Sequence, residues 1–430
     1  MNHATNPETG TDRGQGATIA VPAWLQDLSS RAGERFESHG WPHKRLEDWK
    51  YTPLTGLAAL DHAEAEAGAG ADLNDIRSLD LGGAPALGWS PDRSPEVRGT
   101  LPDGVRILGL EAALDAMGNR LKPLLEGLDT DAPSLAMSAL NTARLGSSPS
   151  SAAVVIVVES GVDAGTLAVE WTRFGASNAL DNARVIVLLG EDASLDLVEH
   201  HAGAGMLNMV NQFELHRGSR LRHARLQDQQ ASSWLITRTE LFQGQDSEFE
   251  QASLDIGKGL ARHDLRTRLA ATGARCVTLG AYLPTGDAHV DHHLDVRHEA
   301  PGCNSEQVFR GVVHDRGTAV FNGRVHVLPG ADDSEAHQSN QNLLLSREAE
   351  VNTKPELVIE ADEVVASHGA TVGQLDERAV FYLRSRGVSE PLARRMLTGA
   401  FCRSVVDAIG NETVREALRE RLEAKLENAS

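Results

Sequence analysis

Cysteine is nearly absent from this 430-residue chain, which contains only Cys276, Cys303 and Cys402. An odd number at wide spacing builds no disulfide framework, no Cys-x-x-Cys metal pair and no four-thiolate cluster site. Each is expected to be a buried thiol, because free cysteine ranks among the most buried residue types. Aromatic residues are scarce too, at 4%. Basic residues number 41 against 61 acidic ones, for a formal net charge of −20. That deficit argues against nucleic acid and anionic membranes as partners, since both are bound through concentrated positive charge. No run approaches the ~18 uninterrupted apolar residues of a membrane span. The segment Met1 to Gly16 is polar and glycine-rich, without the basic start and apolar stretch of a signal peptide. Residues 1–18 are therefore expected to be a disordered tail on a cytoplasmic protein.

The usual signatures of catalysis are missing as well. Gly257-Lys258-Gly259 lacks the upstream glycine and the Ser/Thr of a phosphate-binding loop. The chain has no GxGxxG, no GxSxG nucleophile elbow and no HExxH. It is read as a protein without an ATPase, dehydrogenase or hydrolase activity of its own.

What is present changes texture along the chain, and the length predicts two or three domains. Trp24, Leu28, Ala32 and Phe36 recur every fourth residue, one face of an amphipathic helix that Gly40, Trp41 and Pro42 end. Short helices with a few strands are expected over residues 60–150. The turn-rich seam Gly146-Ser147-Ser148-Pro149-Ser150 marks a boundary. Beyond it come short β-branched runs, among them Val154 to Val158, Arg184 to Leu189, Ser219 to Leu226, Ser247 to Ile256, Arg275 to Tyr282 and Ala319 to Val327. They follow one another with no long helix between, which predicts a large all-β region. The pattern alone fits a sandwich, a barrel or a β-helix. After Leu375 the period becomes helical. Asp376 to Arg386 reads as a helix stopped by Gly387. Ser389 and Pro391 open a second, with Leu397, Phe401 and Val405 on one face. Gly410 ends it, Asn411 caps a third, and Val414, Leu418, Leu422 and Leu426 form that helix's apolar stripe.

The densest polar cluster is His289-Val290-Asp291-His292-His293-Leu294-Asp295-Val296-Arg297-His298. On a strand, His289, Asp291, His293, Asp295 and Arg297 share one face, and His292 and His298 share the other. Arg297 in the first row argues against a cation site, so a polar ladder on a solvated β surface is expected. His200 and His201 point to opposite faces and do not chelate together. Arg45 to Leu54 reads equally well as a docking surface or as a connection with an aromatic anchor. His368 stands between small neighbours, Ser367 and Gly369, at the junction of a strand-like and a helix-like run. An accessible imidazole there can ligate iron or move a proton near neutral pH.

Several stretches carry a resemblance: Ser367-His368-Gly369-Ala370-Thr371-Val372-Gly373-Gln374-Leu375-Asp376-Glu377, Phe381 to Gly387, Val320 to Val327, Leu343 to Ser346, Lys354 to Leu357 and Arg45 to Leu54. Together they resemble the SufB/SufD family of iron–sulfur cluster assembly proteins, and within it the SufD branch. The resemblance is strongest from about residue 280 to 410. It implies a mainly β protein with a right-handed parallel β-helix core. The core would span residues 149–370, between an N-terminal helical (α/β) region at 19–148 and a C-terminal helical domain at 371–430. It implies a non-catalytic scaffold subunit of the SUF complex. Such a subunit pairs with a SufB-like paralogue through the β-helix and holds a SufC-like ATPase on its C-terminal helices. It also implies that His368 faces the paralogue where a transient iron–sulfur cluster forms, as transient iron ligand or proton relay. No cofactor is implied to stay bound to the chain alone, and binding of a reduced flavin is left open. Many such sequences have cysteine just before the Ser-His pair, where this chain has Ala366. Two alternatives are the SufB paralogue itself, disfavoured by the three scattered cysteines, and a β-helical carbohydrate-active enzyme, disfavoured by the few aromatics and the lack of a signal peptide.

Overall fold

The computed structural model describes residues 21–58, 79–89, 96–147, 152–173 and 180–428; the tail read over residues 1–18 lies outside them. The helices are α1 (Ala23–His39), α2 (Thr55–Ala58), α3 (Leu110–Glu126), α4 (Ala136–Ser147), α5 (Glu377–Ser385), α6 (Glu390–Val406) and α7 (Glu412–Asn428). The strands are β1 (Ala86–Trp89), β2 (Glu96–Arg98), β3 (Val105–Gly109), β4 (Ala153–Val158), β5 (Asp163–Arg173), β6 (Leu180–Leu189), β7 (Ser194–Gly203), β8 (Met206–Leu215), β9 (Arg220–Gln229) and β10 (Trp234–Gln243). They continue as β11 (Glu248–Asp255), β12 (Leu260–Leu269), β13 (Arg275–Tyr282), β14 (His289–His298), β15 (Asn304–Val313), β16 (Thr318–Val327), β17 (Ser334–Leu344), β18 (Glu350–Ile359) and β19 (Val364–Gly373).

From β4 onward each strand pairs in parallel with the strand two places along, so consecutive strands alternate between two sheets. The result is a parallel β-solenoid of about seven turns. The odd strands, preceded by β1 and β2, form a ten-stranded sheet; the even strands and β3 form a nine-stranded one. Alternate residues of both sheets point inward and fill a continuous apolar core, from Val154 and Leu197 to Phe309, Phe321 and Val325. Turns between strands stack on one another. Gly218 adopts φ +67° and Gly273 φ +77°, and a Cβ on either would strike the Asp192 or Asp246 carboxylate of the neighbouring turn.

The two outer faces are covered by different halves of the chain. Helices α1, α3 and α4 pack on β4 and β6, where Leu25, Leu121 and Leu145 meet Val155, Val157, Ile186 and Leu188. The C-terminal helices cover the ten-stranded sheet. Their stripe Val414, Leu418, Leu422 and Leu426, with Cys402, Val405 and Ile409, buries against Val198, Leu226, Leu254, Leu283 and Val312. The stripe expected on α7 thus finds its partner in the β region, whereas α6 buries Cys402, Val405 and Val406 rather than the expected Leu397.

The ends of the solenoid differ. At the N-terminal end β3 pairs antiparallel with β4, and β1 adds to β5 with β2 antiparallel beyond it. At the C-terminal end β18 and β19 are the last strands of their sheets, and no described strand pairs with their outer edges.

Candidate functional site

The sequence places His368 beyond the last strand; the structure corrects this. His368 lies in the middle of β19, in register with Gln338 of β17. Gln338 belongs to the inward row of its strand, with Ser334, Ala336, Asn340 and Asn342 all buried. Register partners in a parallel ladder point to the same side, so His368 stands in the inward row of the last coil. It is exposed because no further coil covers it. Gly369 and Ala366 leave room around it. On the opposite side of the strand Ser367 Oγ lies 2.8 Å from Nδ1 of His337.

Beneath His368 runs a column of polar side chains. Following the register inward from Gln338 gives Gln307, Thr278, Gln251 and His223, all buried. The Gln338 amide donates to Gln307 Oε1 at 2.5 Å, while Gln338 Oε1 has no hydrogen-bond partner among the described residues. Gly323 on the facing sheet makes this packing possible, since a Cβ there would meet the Gln338 amide. Beside the column the Tyr282 hydroxyl donates to Asn342 at 2.6 Å and accepts from Asn340 at 2.9 Å. Thr353 of β18 donates to Asn340 at 2.9 Å. The polar side chains therefore reach the open mouth from both sheets.

Deeper inside lie two buried carboxylates. Asp255 accepts from His263 at 2.8 Å and from His292 at 3.1 Å. Burial alone would raise its pKa, but the two imidazoles outweigh it and hold Asp255 well below the usual carboxylate range. Burial, aided by the charge of Arg225, lowers His263 to about 3. A neutral imidazole that donates Nε2–H to Asp255 and accepts at Nδ1 from Thr237 at 2.7 Å satisfies both nitrogens. Glu199 sits 3.2 Å from His223 and 3.5 Å from His201; these imidazoles overcome burial and depress it as well. Arg225 is wholly buried between these carboxylates and offsets their charge.

The His289–His298 cluster is a solvated ladder only in part. His292 and His298 point into the core, His298 reaching Ser305 at 2.8 Å. On the other face the N-terminal segment covers His289 and Asp291, while Asp295 and Arg297 stay partly exposed in an ion-pair ladder with Arg266. The Arg262 guanidinium stacks 3.7 Å from the Trp49 ring and bonds to Asp291 and Asp264, each at 2.9 Å. Thr52 donates to the Asp291 carboxylate at 2.5 Å, and the Trp49 indole donates to the Ser134 carbonyl at 2.8 Å. The stretch Arg45 to Leu54 is thus an aromatic anchor that locks the N-terminal region onto the nine-stranded sheet.

All three cysteines are buried and free, as expected. Cys276 and Cys303 lie in the solenoid core and Cys402 between helix and sheet. Burial pushes the Cys276 and Cys402 thiols up to about 12, far from the thiolate form that binds metal. Sequence reasoning missed the buried glutamine and asparagine column under His368. Its signal was the alternation in Ser334-Glu335-Ala336-His337-Gln338-Ser339-Asn340-Gln341-Asn342, which reads as polar throughout.

The chain is thus a parallel β-solenoid flanked by helices, with a polar column leading to the last coil. Residues 172–401 match the family described as SUF system FeS cluster assembly, SufBD core domain. The match covers more than half of the chain, and the chain belongs to this SufBD family of iron–sulfur cluster assembly proteins. It is 27% identical over 399 residues to the iron–sulfur cluster assembly protein SufD of Escherichia coli, covering 90% of each chain. It is 28% identical over 405 residues to a SufBD family protein of Synechocystis, covering 88% of this chain and 86% of the other. The chloroplastic protein ABCI7 of Arabidopsis thaliana is 25% identical over 419 residues, covering 94% and 86%. No helix among the described residues is long and apolar enough to cross a membrane.

Proposed function

We propose that this chain is a cytoplasmic, non-catalytic scaffold subunit whose open solenoid end pairs with a SufB-like paralogue, with His368 at the junction where a cluster is built. The observation that carries this reading is the asymmetry of the two ends. Unpaired strand edges are templates for another chain, and proteins normally shield them. Here the N-terminal edges are the short strands β2 and β3, of three and five residues, whereas the C-terminal edges β18 and β19 each run ten residues. The open mouth also exposes apolar side chains, Ile359 and Val372. Both lie in the inward rows, where a further coil would cover them. Edge strand β18 carries Pro355, which such a strand tolerates; β19 has no proline and offers the more complete edge. A SufC-like ATPase would dock on the C-terminal helices, where α5 and α6 expose Phe381, Tyr382, Leu392 and Met396. The growing cluster is cargo at the junction. His368 would serve it as a transient iron ligand or as a proton relay.

The alternative that this is the cluster-building paralogue itself is less well supported, because the thiols are buried and protonated. No described strand runs through a glycine-rich turn into a helix as a dinucleotide site requires. These residues do not fit a reduced flavin held in that way, and no flavin site is assigned. The test is co-purification with SufB- and SufC-like partners. The pair Ile359→Lys and Val372→Lys places like charges on exposed positions and should abolish recovery of the paralogue while leaving the melting temperature within about a degree or two. Full recovery of the paralogue by this variant would refute the edge as the pairing surface.

A further inference from the structure

A cleft of about 680 Å³ lies between the C-terminal helices and the ten-stranded sheet. Its size falls within the range of small-molecule sites, which favour such junctions between units. The floor is apolar: Leu283 and Val312 come from the sheet, Leu345 from the end of β17, and Leu426 from α7. The rim is basic. Arg347, Arg394, Arg395 and Lys425 face it against only two acidic residues, Glu377 and Glu390. This is a local excess of positive charge in a chain whose net charge is −20.

The basic groups are unequal. Arg394 is held by Glu377 at 3.0 Å and by Glu390 at 3.2 Å. Lys425 donates to the Ile256 carbonyl at 2.8 Å and to Thr285 at 3.2 Å. Arg347 and Arg395 have no hydrogen-bond or ion-pair partner among the described residues. Two uncommitted guanidinium groups beside an apolar floor suit a ligand with both properties. Guanidinium groups bind carboxylate, sulfonate or phosphate oxygens in paired fashion, and the floor covers a hydrocarbon or ring system. We propose that this cleft binds a small organic anion with an apolar body, its acidic group held by Arg347 and Arg395.

The test uses the full chain and three probes in calorimetric titration. The probes are 8-anilinonaphthalene-1-sulfonate, its uncharged relative N-phenyl-1-naphthylamine, and inorganic sulfate. The proposal expects one naphthalenesulfonate per chain, with the uncharged probe at least about tenfold weaker and sulfate alone weaker still. Arg347→Ala and Arg395→Ala should each weaken the sulfonate about tenfold and leave the uncharged probe unchanged. Glu377→Gln removes a competing carboxylate and should tighten the sulfonate. This gain does not depend on how well either arginine variant folds. Equal binding of charged and uncharged probes would overturn the proposal. So would several equivalent sites per chain, sulfate binding as tight as the sulfonate, or sulfonate binding indifferent to all three substitutions.

Discussion

Arg262 sits over the Trp49 ring with both of its carboxylate partners, Asp264 and Asp291, at 2.9 Å, and Asp291 is as buried as the arginine itself. Removing one member of such a pair strands a buried charge, which costs roughly 3–5 kcal/mol. Arg262→Ala should therefore lower the urea midpoint strongly, and an unchanged midpoint would show that Asp291 is compensated in some other way. The core histidines set a pH dependence. Burial lowers His263 to about 3 and His298 to about 4, from an ordinary 6.5. Below about pH 6.5 the unfolded chain takes up protons that the folded chain refuses. Stability is thus complete above that pH and falls as the pH drops toward the folded values, by about 2 kcal/mol per histidine at pH 5. Urea midpoints at pH 7 and pH 5 measure this, and a flat profile would mean that these imidazoles accept protons in place. At this scale the sequence was readable by residue type rather than by place. The three cysteines are buried as their chemistry suggests. His368 was singled out, but its position in a strand was hidden by small and polar neighbours that lack a β pattern. Nothing in the wording of His289–His298 shows that Thr52, 237 residues before His289, would bond to His289 and Asp291.

Strands with apolar inward rows, such as β4 and β16, were legible because alternation and β-branching mark them. Strands β8, β12, β17 and β19 were not. Met206 to Leu215 has no alternation because both faces are covered, and β17 and β19 place Gln338, Asn340, Asn342 and His368 where apolar residues are expected. The C-terminal helices were legible as elements, although α6 stops at Val406 rather than running to Gly410, and Ser389 makes no side-chain cap bond. Asp376 accepts from the Arg378 amide at 2.9 Å to start α5, and Gly387 at φ +88° ends the turn after it. Deleting these helices would uncover Val198, Leu226, Leu254 and Leu283, so a truncated chain should aggregate rather than report on docking. Point substitutions are the sharper probe. Phe381 is 71% exposed and Met396 43%. Phe381→Asp with Met396→Asp should abolish capture of the SufC-like ATPase and leave the circular dichroism melt unchanged. Undiminished capture would place the ATPase elsewhere.

The solenoid carries helices on both outer faces and ends on two ten-residue edge strands, β18 and β19. Periodicity could not announce the solenoid, because its coils vary in length and its core mixes apolar rows with hydrogen-bonded amides and imidazoles. Family wording supplied that architecture, and the two alternating parallel sheets bear it out. On the reading proposed above, His368, standing in the last coil above a polar column, works at the junction with a paralogue and does not hold the fold together. The most direct measurement is the iron–sulfur content of the complex reconstituted with SufB- and SufC-like partners when this chain carries His368→Ala, read alongside complex yield and melting temperature. Melting temperature and yield should stay close to those of the unsubstituted chain, since exposed substitutions cost within about 0.5 kcal/mol, while cluster content is lost. Normal cluster content at normal yield would contradict it.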